Sequence, residues 1–321
     1  MTGPGKVAVV MVNYNGFEYS RECIDSIRRL DYPDYAIVFV DNGSSDGSGE
    51  AIHDLYRDKI VYLPLAENLG VTGGNNAGIE YALTHHCDYV LFLNNDTLVD
   101  SHFLDRLVQT SQASGEALVV PKIVCYFDQQ RLDHWLGSDF NWWTGMPQGY
   151  QRYPYDAPLL NSRSEIKVAS TCCLLAPVSV LRTVGGMDEN YFMYYDDADF
   201  TLRATRAGYR LLYEPESVIY HKCNMTTRTM QPAYFEFYLI NRNFFYFYNK
   251  LCNRPLIKYA FLVKSSLRLM WHFARSYTDR NPVKRQVVRL VIKDVFAGRM
   301  GPPPRVAPFV KAPQTPAPTG A

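Results

Sequence analysis

The chain has 321 residues, of which 47% are hydrophobic and 20% charged, a composition that supports one large or two modest globular domains and excludes a disordered chain. Its formal charge of +1 hides a division, because residues 250–321 carry 14 basic and two acidic side chains (14 − 2 = +12). The residues before 250 carry 19 basic and 30 acidic side chains (19 − 30 = −11).

The first hundred residues alternate apolar runs with helical spacing. The runs, which predict buried strands, are 7–12, 36–40, 60–63 and 89–93. The helical spacing between them predicts βαβ units around a mostly parallel sheet. The runs end in turn residues, mainly Asn, Asp and Gly, and ligands of such sheets gather beyond the carboxyl ends of the strands. Four such ends in succession favour a binding site over simple turns.

The pattern changes after residue 125. Residues 125–165 are rich in Trp and Tyr and predict an irregular excursion or β-meander beside the site. The elements predicted next are strands at 166–169 and 172–176, helices at 178–184 and 197–207, and a long aromatic and basic helical stretch beyond Pro232. The tail 301–321 contains seven of the 19 prolines and is predicted to be disordered.

The segment after the second apolar run has two interpretations. Asp41 stands at the strand tip, where its carboxylate can accept hydrogen bonds from a nucleobase. The same segment holds a G-x-S-x-G pattern, Gly43 to Gly47, typical of a hydrolase nucleophile, with His221 downstream as a base. The hydrolase interpretation is the weaker one, because no HGGG-type oxyanion segment is present and two residues separate the strand from the pattern.

Two further segments suggest ligands. The glycine-rich residues 68–78 open a helix whose free amides can bind a diphosphate, although the glycines also suit close packing of that helix on the sheet. Asp96 ends the fourth apolar run, where a carboxylate can bridge a divalent cation to a diphosphate. His221 is a plausible second ligand, and a hydrogen-bonded core histidine is the alternative.

The densest acidic feature contains Asp196, Asp197 and Asp199 beside aromatic residues. Mutual repulsion and burial disfavour ionising all three carboxylates, which leaves one of them suited to act as a general base towards a hydroxyl. Capping of the helix that follows, with Asp196 or Asp197 at the cap, is the structural alternative. Capping explains one carboxylate well and three poorly.

These blocks, in this order, resemble the family 2 inverting glycosyltransferases, especially their rhamnosyltransferase-like and galactofuranosyltransferase-like bacterial branch. The segments that carry the resemblance are VVMVNYNG, VFVDNGSSDGS, ENLGVTGGNNAGI, YVLFLNNDTLVD and VGGMDENYFMYYDDADFTLRATRAGYRLLYEPESVIYH. The resemblance implies an α/β fold of the GT-A type, a Rossmann-like, mostly parallel sheet flanked by helices, with a C-terminal helical extension. We expect a catalytic domain at 1–230 (nucleotide-sugar half about 1–120, acceptor-side half about 121–230), a basic aromatic helical extension at 231–300 and a tail at 301–321.

The resemblance also implies roles for individual residues. Asp197 takes the place of the catalytic base, and Asp96 with His221 takes the place of the ligands of a divalent cation, Mg²⁺ or Mn²⁺. The donor-binding positions are Tyr14, Asn15, Asp41, Asn68, Gly74, Asn75 and Asn95. The acceptor-side positions are Asp196, Cys172 and Trp142. The chain departs from the family where Asn94 replaces the first Asp of the D-x-D motif and Asp196 replaces the Glu of the "ED" motif.

These roles predict inverting transfer of a sugar from a nucleoside-diphosphate sugar, dTDP-rhamnose or a UDP-sugar, to a hydroxyl of a glycan or lipid-linked acceptor in cell-surface polysaccharide synthesis. A nucleotidyltransferase and a non-catalytic sugar- or membrane-binding relative are the alternatives. A nucleotidyltransferase should have a basic loop after the first strand, where the uncharged residues 13–16 stand.

The basic C-terminal part suggests a surface partner. Lys264, Arg268, His272 and Arg275 share one helix face, so the helices of residues 250–300 suit either an anionic membrane surface or packing on the catalytic domain. No nucleic-acid partner is expected, because no recognised motif accompanies the charge. Seven cysteines without a CxxC pair predict reduced thiols, and no apolar run reaches 18 residues. We therefore expect a cytoplasmic protein, peripheral on the inner face of the plasma membrane.

Overall fold

The computed structural model describes residues 4–129, 132, 137–149, 158–222 and 234–304. The chain divides into two compact units, residues 1–225 and 226–321. Most of the tail that we predict to be disordered, from residue 305 onwards, lies outside the described residues, and so do parts of the aromatic segment 125–165.

The first unit is built on a nine-stranded sheet. Its strands are β1 (Val7–Asn13), β2 (Tyr35–Asp41), β3 (Val61–Pro64), β4 (Tyr89–Leu93), β5 (Thr97–Val99), β6 (Leu118–Cys125), β9 (Ser164–Ile166), β10 (Cys173–Pro177) and β11 (Leu211–His221). A separate hairpin consists of β7 (Gly137–Asn141) and β8 (Met146–Gly149). The order across the sheet is β3-β2-β1-β4-β10-β6-β11-β5, with β9 paired to β11.

Six of the nine strands run in one direction. β3, β2, β1 and β4 are parallel neighbours, and β6 pairs in parallel with β11. β10 lies between the two parallel groups and is antiparallel to both β4 and β6, so the two groups run in the same direction. β5 and β9 are antiparallel to β11. The α/β architecture with a mostly parallel sheet is thereby confirmed.

The helices of the first unit cover this sheet. They are α1 (Phe17–Ile27), α2 (Ser48–Tyr56), α3 (Gly70–Thr84), α4 (Phe103–Ala113), α5 (Val178–Val184) and α6 (Asp196–Arg206). Alternate residues of β1 enter different buried clusters: Ala8 and Val10 belong to one, and Val9 and Met11 belong to the other. The strand is therefore buried on both faces, which is why its sequence is a continuous apolar run rather than an alternating one.

The predicted strand at 166–169 is wrong. The strand is Ser164–Ile166, where it pairs with β11, and the chain then turns towards the hairpin. Gly137 N–H donates to the carbonyl of Val168 at 2.9 Å, and Lys167 N–H donates to the carbonyl of Gly137 at 2.9 Å. These bonds take residues 167 and 168 away from the main sheet.

The second unit contains three helices among its described residues. They are α7 (Phe235–Leu251), α8 (Pro255–Thr278) and α9 (Pro282–Ala297). The rings of Tyr248 and Phe261 stack with centroids 4.3 Å apart, and the buried Tyr238 hydroxyl donates to Asp294 at 2.6 Å. A proline in the first turn begins both α8 and α9, as its fixed φ favours. None of the helices within the described ranges is long and apolar enough to cross a membrane.

Glycines set the distance between α3 and β1. A Cβ added to Gly74 would lie 2.6 Å from Val12 Cγ1, and one added to Gly78 would lie 2.2 Å from Val10 Cγ1. Both distances are far below van der Waals contact, so any larger residue would push the helix from the strand. Close packing on the sheet, the alternative stated for the glycine-rich segment, is therefore what Gly74 and Gly78 provide.

We expect Gly78→Ala to lower the free energy of unfolding by about 1–3 kcal/mol, because the added methyl group overpacks the contact with Val10. The cost should be smaller in a Val10→Ala background, where the space has been vacated. Urea unfolding of the four proteins of this double-mutant cycle measures the coupling. An equal cost of Gly78→Ala in both backgrounds would contradict the packing role.

Candidate active site

Asn13 ends β1 and is fully buried. Its Nδ2 lies 3.1 Å from Asp41 Oδ1, and 3.1 Å from the hydroxyls of Ser44 and Ser48. Its Oδ1 accepts a hydrogen bond from the Ser20 hydroxyl at 2.9 Å. Asn13 therefore ties the loop after β1, the start of α1 and the loop after β2 into one polar network.

The end of β4 joins the same network. The Nδ2 of the buried Asn95 donates to the Ser20 hydroxyl at 3.0 Å and lies 3.4 Å from Asn13 Oδ1. The structure thus brings the predicted donor position Asn95 to the end of β1. Asn13 itself was missed in the sequence. The available signal was its place as a polar residue directly ending a buried strand, since buried amides need partners.

The residues expected at the nucleotide converge beside Asn13. Asn15 is left-handed (φ 55), its N–H donates to the Ser44 hydroxyl at 3.0 Å, and its Oδ1 accepts from the N–H of Ser45 at 2.8 Å. Tyr14 is half-buried in the same loop, and Asp41 is buried at the end of β2, where it pairs in register with Asn13. Ser44 and Ser45 of the G-x-S-x-G segment therefore connect the loop after β2 to the loop after β1.

Asn42 builds the loop that leads into α3. Its Nδ2 donates to Asn68 Oδ1 at 3.1 Å and to the carbonyl of Gly70 at 3.0 Å, and its Oδ1 accepts from the N–H of Leu69 at 3.0 Å. Asn68 Oδ1 also accepts from the N–H of Gly70 at 2.8 Å. The side-chain oxygen of Asn68, a residue predicted to bind the sugar donor, therefore shapes this loop. Asn42 was not among the site residues predicted from the sequence.

The first turns of α3 are tied to the segment before α6. Asn75 is buried, with its Nδ2 3.4 Å from Met187 Sδ. The Nδ2 of Asn76 donates to the carbonyl of Met187 at 2.9 Å, while its Oδ1 accepts from the N–H of Met187 at 2.8 Å. The donor-side helix and the acidic segment therefore have fixed relative positions.

The residues before α6 have an unusual backbone. Phe192, Tyr194 and Tyr195 are all left-handed, with φ of 65, 69 and 69°. Non-glycine residues rarely adopt this conformation, and it costs roughly 1–3 kcal/mol at each position. The carbonyl oxygen of Phe192 lies 2.2 Å from where a Cβ on Gly70 would be, so that glycine admits the loop. Strain is concentrated where the acidic helix begins.

The three carboxylates of α6 have different surroundings. The helix begins at Asp196 with Tyr195 at the cap position, so the alternative of a cap at Asp196 or Asp197 is wrong. Asp199 is fully buried and accepts from Arg203 Nε at 2.6 Å and from the Tyr191 hydroxyl at 3.2 Å. Its charge is therefore balanced within the fold, which leaves Asp196 and Asp197 as the chemically available pair.

Burial, followed by the charge of Asp196, raises the pKa of Asp197 well above its ordinary value. Burial and the charge of Asp199 raise the pKa of Asp196 as well. Hydrogen bonds from the N–H of Ala198, at 2.8 Å, and from the Ser170 hydroxyl offset part of the shift at Asp197. Asp197 remains partly exposed. A reachable carboxylate with raised basicity has the properties of a general base.

The two predicted metal ligands face each other. His221 Nε2 lies 3.0 Å from Asp96 Oδ1, and both side chains are buried. The main chain holds the two residues next to each other, because the N–H of Lys222 donates to the carbonyl of Asp96 at 2.9 Å. A carboxylate oxygen facing an imidazole nitrogen fits a divalent cation such as Mn²⁺. No group of three such ligands occurs in the described part of the chain, so diphosphate oxygens and waters would complete the coordination.

Cys172 and Trp142, two of the predicted acceptor-side residues, lie in different places. The carbonyl of Cys172 accepts from the N–H of Asn94 at 2.8 Å, and its N–H donates to the Ser170 hydroxyl at 3.1 Å. Cys172 therefore lies beside Asn94, two residues before Asp96, and beside Ser170, whose hydroxyl lowers the pKa of Asp197. The Trp142 ring instead lies 5.4 Å from the guanidinium carbon of Arg206, about 14 Å along α6 from Asp197.

The model of Glycosyl transferase family 2 matches residues 8–185, more than half of the chain, and the chain belongs to this family. The low-salt glycan biosynthesis hexosyltransferase Agl10 of Haloferax volcanii is 24% identical over 280 residues, 85% of each chain. An N-acetylglucosaminyl-diphospho-decaprenol L-rhamnosyltransferase of Mycobacterium tuberculosis is 25% identical over 240 residues, 68% of this chain and 77% of that protein. The family predicted from the sequence blocks is confirmed.

Solved structures share the fold. The mannosyltransferase PcManGT from Pyrobaculum calidifontis, in complex with GDP-Man and Mn²⁺, superposes with a TM-score of 0.55 and 16% identity over 92% of this chain and 76% of that chain. Residues 1–349 of S. aureus TarS give a TM-score of 0.54 and 15% identity over 92% of this chain and 81% of that chain. The likeness confirms the GT-A fold.

We expect Asp197→Asn to raise the free energy of unfolding at neutral and mildly alkaline pH. Because the pKa of Asp197 is raised in the folded protein, the folded state keeps a proton that the unfolded state has released. This carboxyl group therefore makes the protein less stable as pH rises from the ordinary carboxylate value to the raised one. The gain in the free energy of unfolding should vanish as the pH falls towards the ordinary pKa of an aspartate, about 4.

Urea unfolding as a function of pH measures this effect, with Asp54→Asn on the exposed face of α2 as the matched control. The control should leave stability unchanged within about 0.5 kcal/mol. A pH-independent difference between Asp197→Asn and the native chain would show that the carboxyl group is not held at high pKa.

Proposed function

We propose that this glycosyltransferase moves a sugar from a nucleoside-diphosphate sugar to an acceptor hydroxyl with inversion at the anomeric carbon. The observation that carries the proposal is the buried pair of Asp96 and His221, which face each other at 3.0 Å, in a chain that also has a carboxyl group of raised pKa at Asp197. Asp197 is connected through Ser170 and Cys172 to the segment that holds Asp96, and Asp96 faces His221. Ser170 and Cys172 thus connect the surroundings of the candidate base with those of the candidate cation site.

Asp197 takes the proton of the acceptor hydroxyl while that oxygen attacks the anomeric carbon from the face opposite the diphosphate. The new glycosidic bond forms as the bond to the diphosphate oxygen breaks, and the diphosphate leaves with the electron pair. A single base suffices, because the displacement is direct. A hydrolase of the two-carboxylate kind would need a second acid across the bond.

Asp96 and His221 would hold the divalent cation, Mg²⁺ or Mn²⁺. A bound cation supplies compensation for the negative charge that develops on the leaving diphosphate. Both side chains are buried, so their interaction with a cation is less screened than it would be at an open surface. Mn²⁺ suits the imidazole nitrogen better than Mg²⁺, which prefers oxygen ligands.

We propose that Tyr14, Asn15 and Asp41 contact the nucleoside, and that Asn75 with the loop shaped by Asn42 contacts the diphosphate and sugar. The polar networks described above hold these positions before any donor binds, which lowers the cost of ordering them. The donors proposed are dTDP-rhamnose or a UDP-sugar, and the rhamnosyltransferase relative supports the first of them.

The acceptor proposed is a hydroxyl of a glycan or a lipid-linked sugar used in cell-surface polysaccharide synthesis. The support is the same relative, which is an N-acetylglucosaminyl-diphospho-decaprenol L-rhamnosyltransferase. A lipid-linked acceptor would place the chain in the cytoplasm at the inner face of the plasma membrane.

We expect Asp197→Asn to lower kcat by roughly 10²–10⁴-fold, because the amide cannot take the acceptor proton. The affinity for the nucleoside diphosphate should stay unchanged, since the substitution keeps the shape of the side chain. Product formation with a panel of nucleotide sugars, and calorimetric titration of the diphosphate, measure the two quantities. Asp54→Asn should retain native activity, and undiminished turnover of Asp197→Asn would remove the assigned base.

We expect Asp96→Asn and His221→Gln each to weaken Mn²⁺ binding by about tenfold or more, because each removes one of two protein ligands. Electron paramagnetic resonance of free Mn²⁺, with the nucleoside diphosphate present, measures the affinity without requiring turnover. His102→Gln, at an exposed histidine of the first unit, is the matched control. Native Mn²⁺ affinity in both site variants would place the cation elsewhere.

A further inference from the structure

Helix α8 has two apolar faces. One is buried against its neighbours and includes Ile257, Phe261 and Leu269. The other is an exposed stripe, between 54% and 85% open to solvent, that consists of Leu256, Tyr259, Val263, Leu267, Met270 and Trp271. The spacing of three or four residues along the stripe places it on one side of the helix, roughly opposite the buried face.

The stripe is a concentrated feature. Among the described residues, fifteen large hydrophobic side chains are exposed, and seven of them lie on α8, namely the stripe and Tyr277. The stripe extends over about 22 Å of helix. Singly scattered apolar side chains are normal at a protein surface, but a contiguous patch marks an interaction site.

Basic residues border the stripe on one side. The exposed Lys264 and Arg275 lie between the stripe and the buried face, and the guanidinium carbon of Arg275 is 5.2 Å from the centre of the Trp271 ring. Residues 234–304 contain 13 basic and three acidic side chains (13 − 3 = +10). Beside this border, His272 Nδ1 is buried and has no hydrogen-bond partner within the described part of the chain.

We propose that this face of α8 binds an anionic lipid bilayer and lies in the plane of its interface. The stripe enters the boundary of the acyl chains, Tyr259 and Trp271 lie at the level of the headgroups, and Lys264 and Arg275 contact lipid phosphates. A second copy of the chain fits less well, since both copies would bring the same net positive charge of residues 234–304 to the interface. An anionic bilayer supplies the apolar layer and the negative charge at once.

This proposal does not rest on the transfer chemistry, and its test needs no donor or acceptor. The full chain is pelleted with vesicles of phosphatidylglycerol and phosphatidylcholine, and with vesicles of phosphatidylcholine alone. We expect binding to the mixed vesicles that weakens with salt. The combined variant Val263→Asn, Leu267→Asn and Met270→Asn should bind at least roughly tenfold more weakly, because it removes apolar contact from the centre of the stripe.

Matched controls separate the stripe from general surface effects. Leu55→Asn changes a side chain of 54% exposure on α2, and it should leave vesicle binding unchanged. Lys264→Gln with Arg275→Gln should weaken binding and reduce its dependence on salt, whereas Arg182→Gln, at an exposed site on α5, should not. The melting temperature of each variant verifies that the fold is intact, as the high exposure of these positions predicts.

Three results would overturn the proposal. The combined stripe variant binds mixed vesicles as tightly as the native chain does, or the native chain binds neutral and anionic vesicles equally. In the third, the native chain ignores vesicles and sediments as a dimer that the stripe variant dissociates, which would make the stripe an interface between copies. Loss of glycosyl transfer in a soluble assay would contradict the proposed function and leave vesicle binding unaffected.

Discussion

The buried amide of Asn13 has to be hydrogen bonded, and much of the site depends on how that requirement is met. Leaving such a group without partners costs about 1–3 kcal/mol, so the loops that supply its partners are held in place. The partners of its Nδ2 are Asp41, which ends β2, and Ser44 and Ser48, which follow β2. Asn95, which follows β4, lies 3.4 Å from Asn13 Oδ1 through its own Nδ2. The nucleotide edge of the sheet is therefore rigid because its polar groups satisfy one another.

The acceptor side is built from groups that destabilise the fold. Asp196 and Asp197 have raised pKa values in their buried setting, and Tyr194 and Tyr195 before them are left-handed. Such features persist only where the surroundings fix them, and here the fixed contacts come from α3 through Asn76. Stability lost at the base is compatible with function, since an active site commonly requires it.

The division of charge between the two parts of the chain corresponds to two surfaces with different chemistry. The acidic part contains the carboxylates that we propose to hold a cation and to accept a proton, while the basic part contains a helix with an exposed apolar face. The sequence places apolar residues on several faces of α8, but periodicity does not tell which of these faces is covered. Phe261 is buried and Met270 is exposed, and only the packing of α7 and α9 distinguishes them.

Several strands of the main sheet and the family are recognisable in the sequence. Strands buried on both faces must be continuous apolar runs, and the site motifs lie within single loops, so both are visible locally. Which loops meet depends instead on the order and register of the strands. Asp96 and His221 are 125 residues apart, and they face each other because β5 pairs with β11 in a sheet whose order the sequence does not reveal. Contacts between other distant segments give Asn42 its role in the loop before α3 and place Trp142 beside Arg206 at the far end of α6, and sequence periodicity does not reveal such contacts.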